Sequence, residues 1–334
     1  MRFLVPFAAL ALLLIGWRFL WRGGRDPLVV YCAHDAVYAA EILRGFEKQT
    51  GIAVAPRFDT EATKSLGLVE LIVREKEAPR ADVFWNNEPL GMVDLQEKQL
   101  LQPYQGPGFQ RIPAAFKDPG GHWTGFAARL RVFIRRAAEL TESDIPAALA
   151  GDQSRIAIAK PLYGTTLTHY SVLWQQWGRE KLIAWHQDSR RRGLREVRGN
   201  AAVKDAVATG ACSLGFTDTD DFFDARDAGH PVAMSPVRLE SGQTICIPNT
   251  VAIVRGTRRD ADARKMVDFL LSAECELALA RSRSRQIPLG PVLDADLQQE
   301  VRELARWAAD GVPLTGLGAA RAECLAWLKS QYIP

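Results

Sequence analysis

Cysteine is scarce and follows no motif: five in 334 residues, Cys32, Cys212, Cys246, Cys275 and Cys324, with no CxxC pair. That excludes a zinc ribbon and is too thin a framework to staple a chain of this length. The odd count leaves at least one thiol unpaired within the chain. Cys32, Cys212 and Cys246 stand in strand-like apolar runs, where buried structural thiols are expected. Histidine is equally sparse, five in unrelated positions. There is no GxSxG elbow, no HExxH and no P-loop glycine pattern, so the familiar motifs of serine hydrolases, zinc proteases and nucleotide binders are missing. No internal repeat is visible.

A strong charge of one sign is also lacking. Lys and Arg number 42 against 39 Asp and Glu, but Arg2, Arg18, Arg22 and Arg25 lie in the first 25 residues, where no acid stands. Without that segment the body is close to neutral, which argues against a nucleic-acid binder. The one dense basic run, "DSRRRGLREVR", reads as a solvated helix end and loop. The whole chain, with 47% hydrophobic and 24% charged residues, is ordinary globular material long enough for two domains or one bilobed body.

The start, "MRFLVPFAALALLLIGWRFLWRGGRDP", has one arginine and then an apolar run from Phe3 to Trp17, the layout of a secretory targeting segment. Export is expected, to the periplasm or the outer face of the cytoplasmic membrane. Residues 1–25 read as a signal peptide or an uncleaved membrane anchor: no convincing cleavage site follows, while the arginines beyond the run oppose the positive-inside rule.

From "PLVVYCA" onward, strands and helices alternate. "VYAAEILRGFEKQTG" is a helix with Val37, Ala40, Leu43 and Phe46 at helical spacing and Gly51 as a stop; "IAVAPRF" and "ADVFWN" are strands, and "TKSLGLVELIVREKE" and "LGMVDLQEKQLL" helices. After the extended stretch "GHWTGFAARLRVFIRR" a second series runs from "RIAIAKP" to "DDFFDARDAG", and "TICIPNTVAIVRG" is extended again. This order predicts two α/β lobes joined by two crossings, with ligands at the carboxyl ends of the strands. One lobe takes residues 27–125 and a return segment, 249–290; the other takes 126–248; 291–334 form helices packed outside.

The segment "FTDTDDF" places Asp218, Asp220 and Asp221 within four positions, and carboxylates so crowded repel unless donors, water or a cation offsets them. Helix capping accounts for one of them. Hard carboxylate oxygens suit a hard cation or an ammonium group. In "KPLYGTTLTHY", Gly164 permits close backbone approach, and Thr165 and Thr166 open a helix whose free amides can take an anion; Asn200 repeats this at "RGNAAVKDAV". Arg129 and Arg131 share strand parity, so both lie on one face and one can meet an anion. After the second strand, Thr63 in "FDTEATKS" can cap a helix or touch ligand. Trp85, Trp123, Tyr163 and Tyr170 are available as cleft walls or as core.

The segments "LVVYCAHDAVYAAEILRGFEKQTGIAV", "ADVFWNNEPLGMVDLQEKQLLQPY", "GHWTGFAARLRVFI" and "NTVAIVRGTRRDADARKMVDFLLSAECE", with "IPLGP" after them, resemble periplasmic solute-binding proteins of ABC importers, and among these the ferric-iron-binding class. The resemblance covers about residues 27 to 291. It implies a type II two-lobed periplasmic-binding-protein fold with two hinge crossings, a ligand cleft between the lobes, no catalysis and no required cofactor. It also implies a monomer that hands its ligand to an ABC permease with its ATPase. In that class a tyrosine pair in the second lobe holds iron; here Asp220 and Asp221 occupy those positions. His34, after the first strand, and Glu88, after the third, are similar in place to the class's first-lobe ligands. The expected ligand is therefore Fe3+ or another metal ion with a synergistic anion, held by His34, Glu88, Asp220 and Asp221 without phenolate colour. An organic or phosphorus-containing solute and a membrane-tethered sensor are the alternatives. An enzyme pairing Asp220 with Glu88 as acid and base is the rival class, and only the missing motifs and the resemblance oppose it.

Overall fold

The computed structural model describes residues 26–59 and 66–333. The first lobe opens with β1 (Leu28–Cys32), α1 (Ala36–Thr50), β2 (Val54–Phe58), α2 (Leu66–Arg74), β3 (Val83–Asn86), α3 (Leu90–Glu97), β4 (Leu101–Gln102) and α4 (Pro107–Arg111). The long strand β5 (Thr124–Arg136) leads on to α5 (Ile145–Ala150), β6 (Ile156–Ala159), α6 (Gly164–Trp177), α7 (Arg179–Arg191), β7 (Arg195–Val197), α8 (Asn200–Ala208), β8 (Leu214–Asp218), α9 (Thr219–Asp227) and β9 (Val232–Pro236). Then β10 (Cys246–Val254) returns, followed by α10 (Asp260–Leu270), α11 (Ala273–Arg281), α12 (Gln299–Ala309) and α13 (Gly318–Tyr332).

Strand order is β2-β1-β3-β10-β5-β8-β6-β7, with β4 added on β10 and β9 on β5. One hydrogen-bonded path runs through all these strands, yet β5 divides it into two sheets. Its residues 124–130 pair with β10, and its residues 131–136 pair with β8 on one side and β9 on the other. Two crossings carry the chain, one in β5 and one in β10, and a bulge at Pro248/Asn249 breaks the register between them. Opposite this bulge Ala127 takes φ 39, a left-handed conformation that costs a non-glycine residue about 1–2 kcal/mol. Burial holds it there: the Ala127 amide donates to Glu276 Oε1 at 2.8 Å, and its carbonyl accepts from Asn249.

Helix α1 ends where expected, with Gly51 at φ 69. Its buried face is Ala39, Ile42, Leu43 and Phe46, an i, i+3, i+4, i+7 stripe. Val37, expected in that stripe, is instead 73% exposed: two positions from Ala39, it stands on the opposite face of the helix. All five cysteines are buried, and Cys212, Cys246, Cys275 and Cys324 are free thiols. Among the described residues no helix is long and apolar enough to cross a membrane. The targeting segment or anchor read over residues 1–25 lies outside the described residues.

Candidate functional site

β5 and β8 are antiparallel, and their register sets Arg131 directly opposite Asp218. Cross-strand neighbours on one face lie within reach of each other, so the guanidinium meets the carboxylate: Arg131 Nη1 donates to Asp218 Oδ1 at 2.7 Å. The other oxygen, Oδ2, accepts from Thr165 Oγ1 at 2.6 Å and Asn200 Nδ2 at 2.9 Å. Arg129 Nε lies 3.5 Å from it. Asp218 and Arg131 are almost wholly buried, at 3% and 0% exposure. Burial pushes the Asp218 carboxyl up, but the Arg131 and Arg129 guanidiniums and the Thr165 hydroxyl outweigh this and hold it below its ordinary value. Although Asp218 stands at the N-cap of α9, its side chain makes no capping bond. Its charge is met by arginine. Asn200 is the second hub, since its Oδ1 also accepts from Arg131 Nη1 and from Thr166 Oγ1, each at 3.2 Å.

Asp220 and Asp221 fall in the first turn of α9. Asp220 is buried, with Oδ1 accepting from the Asp221 amide at 3.1 Å and Oδ2 lying 3.9 Å from Arg129 Nε. Asp221 Oδ2 accepts from Thr217 Oγ1 at 2.8 Å. Oxygens of Asp218, Asp220 and Asp221 lie within 4.8 Å of one another, close enough to share one metal ion. They border a cavity of about 280 Å³ between the lobes. The first lobe contributes Asp35, Ala36, Val37, Tyr38 and Asn87; the second contributes Lys160, Tyr163, Gly164, Thr165, Thr166, Arg198, Gly199, Asn200, Lys204, the three aspartates and Asp224; Arg129 lies at the crossing.

The cavity is lined by charges of both signs. The starts of α6 and α8 border it beside Lys160, Arg198 and Lys204. Gly164 opens α6 at φ 52, a turn suited to glycine, and neither Tyr163 nor Gly199 caps its helix through a side chain. Unpaired first-turn amides and lysine or arginine charge suit these helix starts to an anion. Asp220, Asp221 and Asp224 line the same cavity, as does Tyr38 of α1. Burial pushes the Tyr38 phenol up first, and the carboxylates of Asp220, Asp224, Asp35 and Asp221 push it further, so it stays protonated across the neutral range. Lys204 is tied to Asp224 at 2.7 Å, and its pKa is raised because this and the Asp205 bond outweigh burial.

Several expected residues are placed elsewhere. His34 is buried below Tyr38, stacked on Trp85 at 5.4 Å, and is not among the residues lining the cavity. Asn249 Nδ2 donates to Gln286 Oε1 at 2.7 Å, which leaves Gln286 Nε2 to donate to His34 Nε2 at 3.0 Å, so that ring nitrogen is used as an acceptor toward the hinge. Glu88 does not line the cavity either. Its carboxylate turns into its own helix start, accepting from the Leu90 amide at 2.5 Å, the Gly91 amide at 2.8 Å and Asn86 Nδ2 at 2.9 Å, with Thr168 Oγ1 at 3.3 Å. Free amides at a helix start outcompete a cleft for a nearby carboxylate. Thr63 lies outside the described residues. Trp85, Trp123 and Tyr170 belong to the core, and Tyr163 alone of those four aromatics lines the cavity. Tyr38 and Asn87 were missed: an aromatic at helical spacing reads as core, and Asn87 stands beside a more conspicuous glutamate.

The family model "Bacterial extracellular solute-binding protein" matches residues 28–282, and the chain belongs to that family. It is 26% identical over 198 residues to the Fe(3+)-binding periplasmic protein of Serratia marcescens, a match covering 56% of this chain and 55% of that one, so it spans about half the length of that relative. With the major ferric iron-binding protein of Neisseria meningitidis it shares 24% identity over 283 residues, 79% of this chain and 81% of the other. The crystal structure of iron-bound HitA from Pseudomonas aeruginosa superposes with a TM-score of 0.81 at 19% identity, covering 92% of this chain and 100% of that one, which establishes the two-lobed α/β binding-protein fold.

Proposed function

We propose that this member of the extracellular solute-binding family works in the periplasm as the capturing component of an ABC importer, and that its cargo is an oxygen-ligated cation, ferric iron first among candidates, taken up with an anion. The observation that carries the reading is the group of carboxylate oxygens on Asp218, Asp220 and Asp221 within 4.8 Å of one another at the cleft. Since Asp218 is already paired with Arg131, Asp220 and Asp221 supply the charge offered to the cation. Hard oxygen donors of this kind match a hard cation. Gly164, Thr165, Thr166 and Asn200 would hold the anion, with Arg129 and Asp218 as the framework beneath. The names of the Serratia and Neisseria relatives support iron as the metal. Capture and release involve no chemical product; a permease and its ATPase are the partners this role requires.

The test is metal analysis and mass spectrometry of protein denatured to release what it carried, followed by Asp220→Asn with Asp221→Asn. That double variant keeps size and removes two charges, so cation affinity should fall at least about a hundredfold, some 3 kcal/mol. Unchanged affinity would reduce the aspartates to helix-start residues. A second reading is favoured by the size of the cavity, about 280 Å³, and by Lys160, Arg198 and Lys204 in its lining: an organic phosphate or similar solute. Its signature would be a released organic anion with no stoichiometric metal.

A further inference from the structure

We propose that the first lobe reads the ligand through the side-chain carbonyl of Asn87 and the guanidinium of Arg129, and that what they read is a protic oxygen: water or hydroxide on the captured metal, or a hydroxyl of an anion chelating it. This rests on the cation reading above.

Asn87 follows β3 and is 2% exposed, yet lines the cavity. Its backbone is fixed on both sides, the amide donating to Asn86 Oδ1 at 3.0 Å and the carbonyl accepting from Arg129 Nη2 at 2.6 Å. Its side-chain Oδ1 is buried without a hydrogen-bond partner among the described residues. Arg129, 3% exposed, spends Nη2 on Asn87 and turns Nε toward Asp218 and Asp220, at 3.5 and 3.9 Å. Its Nη1 is likewise buried and without a partner. Thus one unmet acceptor and one unmet donor, both closed off from solvent, stand on two residues that already touch and that border the cavity holding the acidic cluster.

Buried polar groups left unpaired are costly, and native structures rarely keep two together without a reason. The combination is selective. In the Asn87 rotamer of this structure, a bare anion would satisfy Arg129 but meet the lone pairs of Asn87; a bare cation would suit Asn87 but meet the positive charge of Arg129. An oxygen that carries both a lone pair and a proton satisfies both. Water or hydroxide on a metal and an alcohol on a hydroxycarboxylate share that chemistry.

The experiment compares the parent with Asn87→Leu, close in size and without the carbonyl, and Asn87→Ala, in case leucine overpacks. Calorimetric titration uses gallium(III) alone, then gallium(III) with one equivalent of citrate, and the thermal midpoint of each ligand-free protein is measured alongside. The expected result is a loss of at least about tenfold in affinity with the ligand-free midpoint unchanged or raised, because the missing oxygen had no partner to lose. Loss with the metal alone identifies metal-bound water or hydroxide; loss only with citrate identifies the chelator's hydroxyl. If the parent binds and both variants bind equally well in both arms, the proposal is overturned while the cation reading stands. A lowered midpoint in both ligand-free variants would make Asn87 a structural residue and overturn it too. No uptake by the parent in either arm would remove the cation reading, and this inference with it.

Discussion

Neither Asp218 nor Arg131 could be buried alone at this depth; an unpaired charge there would cost several kcal/mol. Replacing Asp218 with Asn leaves Arg131 uncompensated and should lower unfolding free energy by about 3–5 kcal/mol, read by urea denaturation at pH 7. The pH dependence has a definite sign. Because the folded pKa of Asp218 is depressed, its contribution is whole above the unfolded value near 3.9 and is lost as acid titrates the folded carboxyl. The parent should therefore weaken steeply below about pH 4, and Asp218→Asn less so; parallel curves would show that the network contributes nothing. Tyr38 offers a spectroscopic check at the same scale. With carboxylates as the ligands, iron-loaded protein should lack a phenolate charge-transfer band; a band abolished by Tyr38→Phe would instead make Tyr38 a ligand. The sequence announced Asp220 and Asp221 by crowding, and Thr165, Thr166 and Asn200 by their place at helix starts. It could not say that His34 would turn to Gln286 or Glu88 into its own helix, because side-chain direction after a strand depends on which donor is nearest in space.

The main alternation of strand and helix was legible, since buried runs such as "LVVYC" and "IAIA" are bounded by glycines and helix starts that punctuate the chain, whereas the short elements β4, β9, α4 and α5 carry no such signal and were not. The hinge elements were legible only as extended stretches. Nothing in "TGFAARLRVFIRR" reveals that Ala127 adopts φ 39, because that conformation is imposed from elsewhere in the chain. Glu276 of α11 is what imposes it. Fully buried, it accepts from the amides of Ala127 and Leu289 at 2.8 Å and of Gly290 at 3.1 Å, and pairs with Arg111 at 2.5 Å. Removing this one side chain orphans three amides and strips the Arg111 guanidinium of its carboxylate, leaving it only the carbonyls of Leu271 and Pro291 at 3.1 Å each. Glu276→Ala should therefore cost about 3–5 kcal/mol, far more than a typical helix-surface change. A variant as stable as the parent by thermal unfolding would mean that the crossings are held by strand pairing alone.

At the scale of the molecule, the charged cleft and the crossings constrain each other. Asp220, Asp221 and Asp224 belong to the second lobe and Tyr38 and Asn87 to the first, so a bound cation attracts both walls and its energy goes into closure. Motion is limited at the far side, where α13 lies against both lobes: Trp327 packs on Trp174 of α6 at 5.8 Å, and Arg321 reaches Asp94 of α3 at 3.7 Å. Glu88 and Thr168 touch across the same side. Rotation about β5 and β10 is thus expected to open the edge carrying α1 and α9 and leave the α13 edge nearly fixed. If the moving bodies are residues 27–125 with 249–290 and residues 126–248, with 291–334 riding on the outside, small-angle scattering should show a smaller radius of gyration with metal and anion than without. The distance between spin labels at Val37 of α1 and Ala228 after α9 should shorten when ligand binds, whereas labels at Glu97 of α3 and Ala322 of α13, all four positions being exposed, should hold theirs. An unchanged 37–228 distance with a ligand that demonstrably binds would mean that the lobes do not close on it.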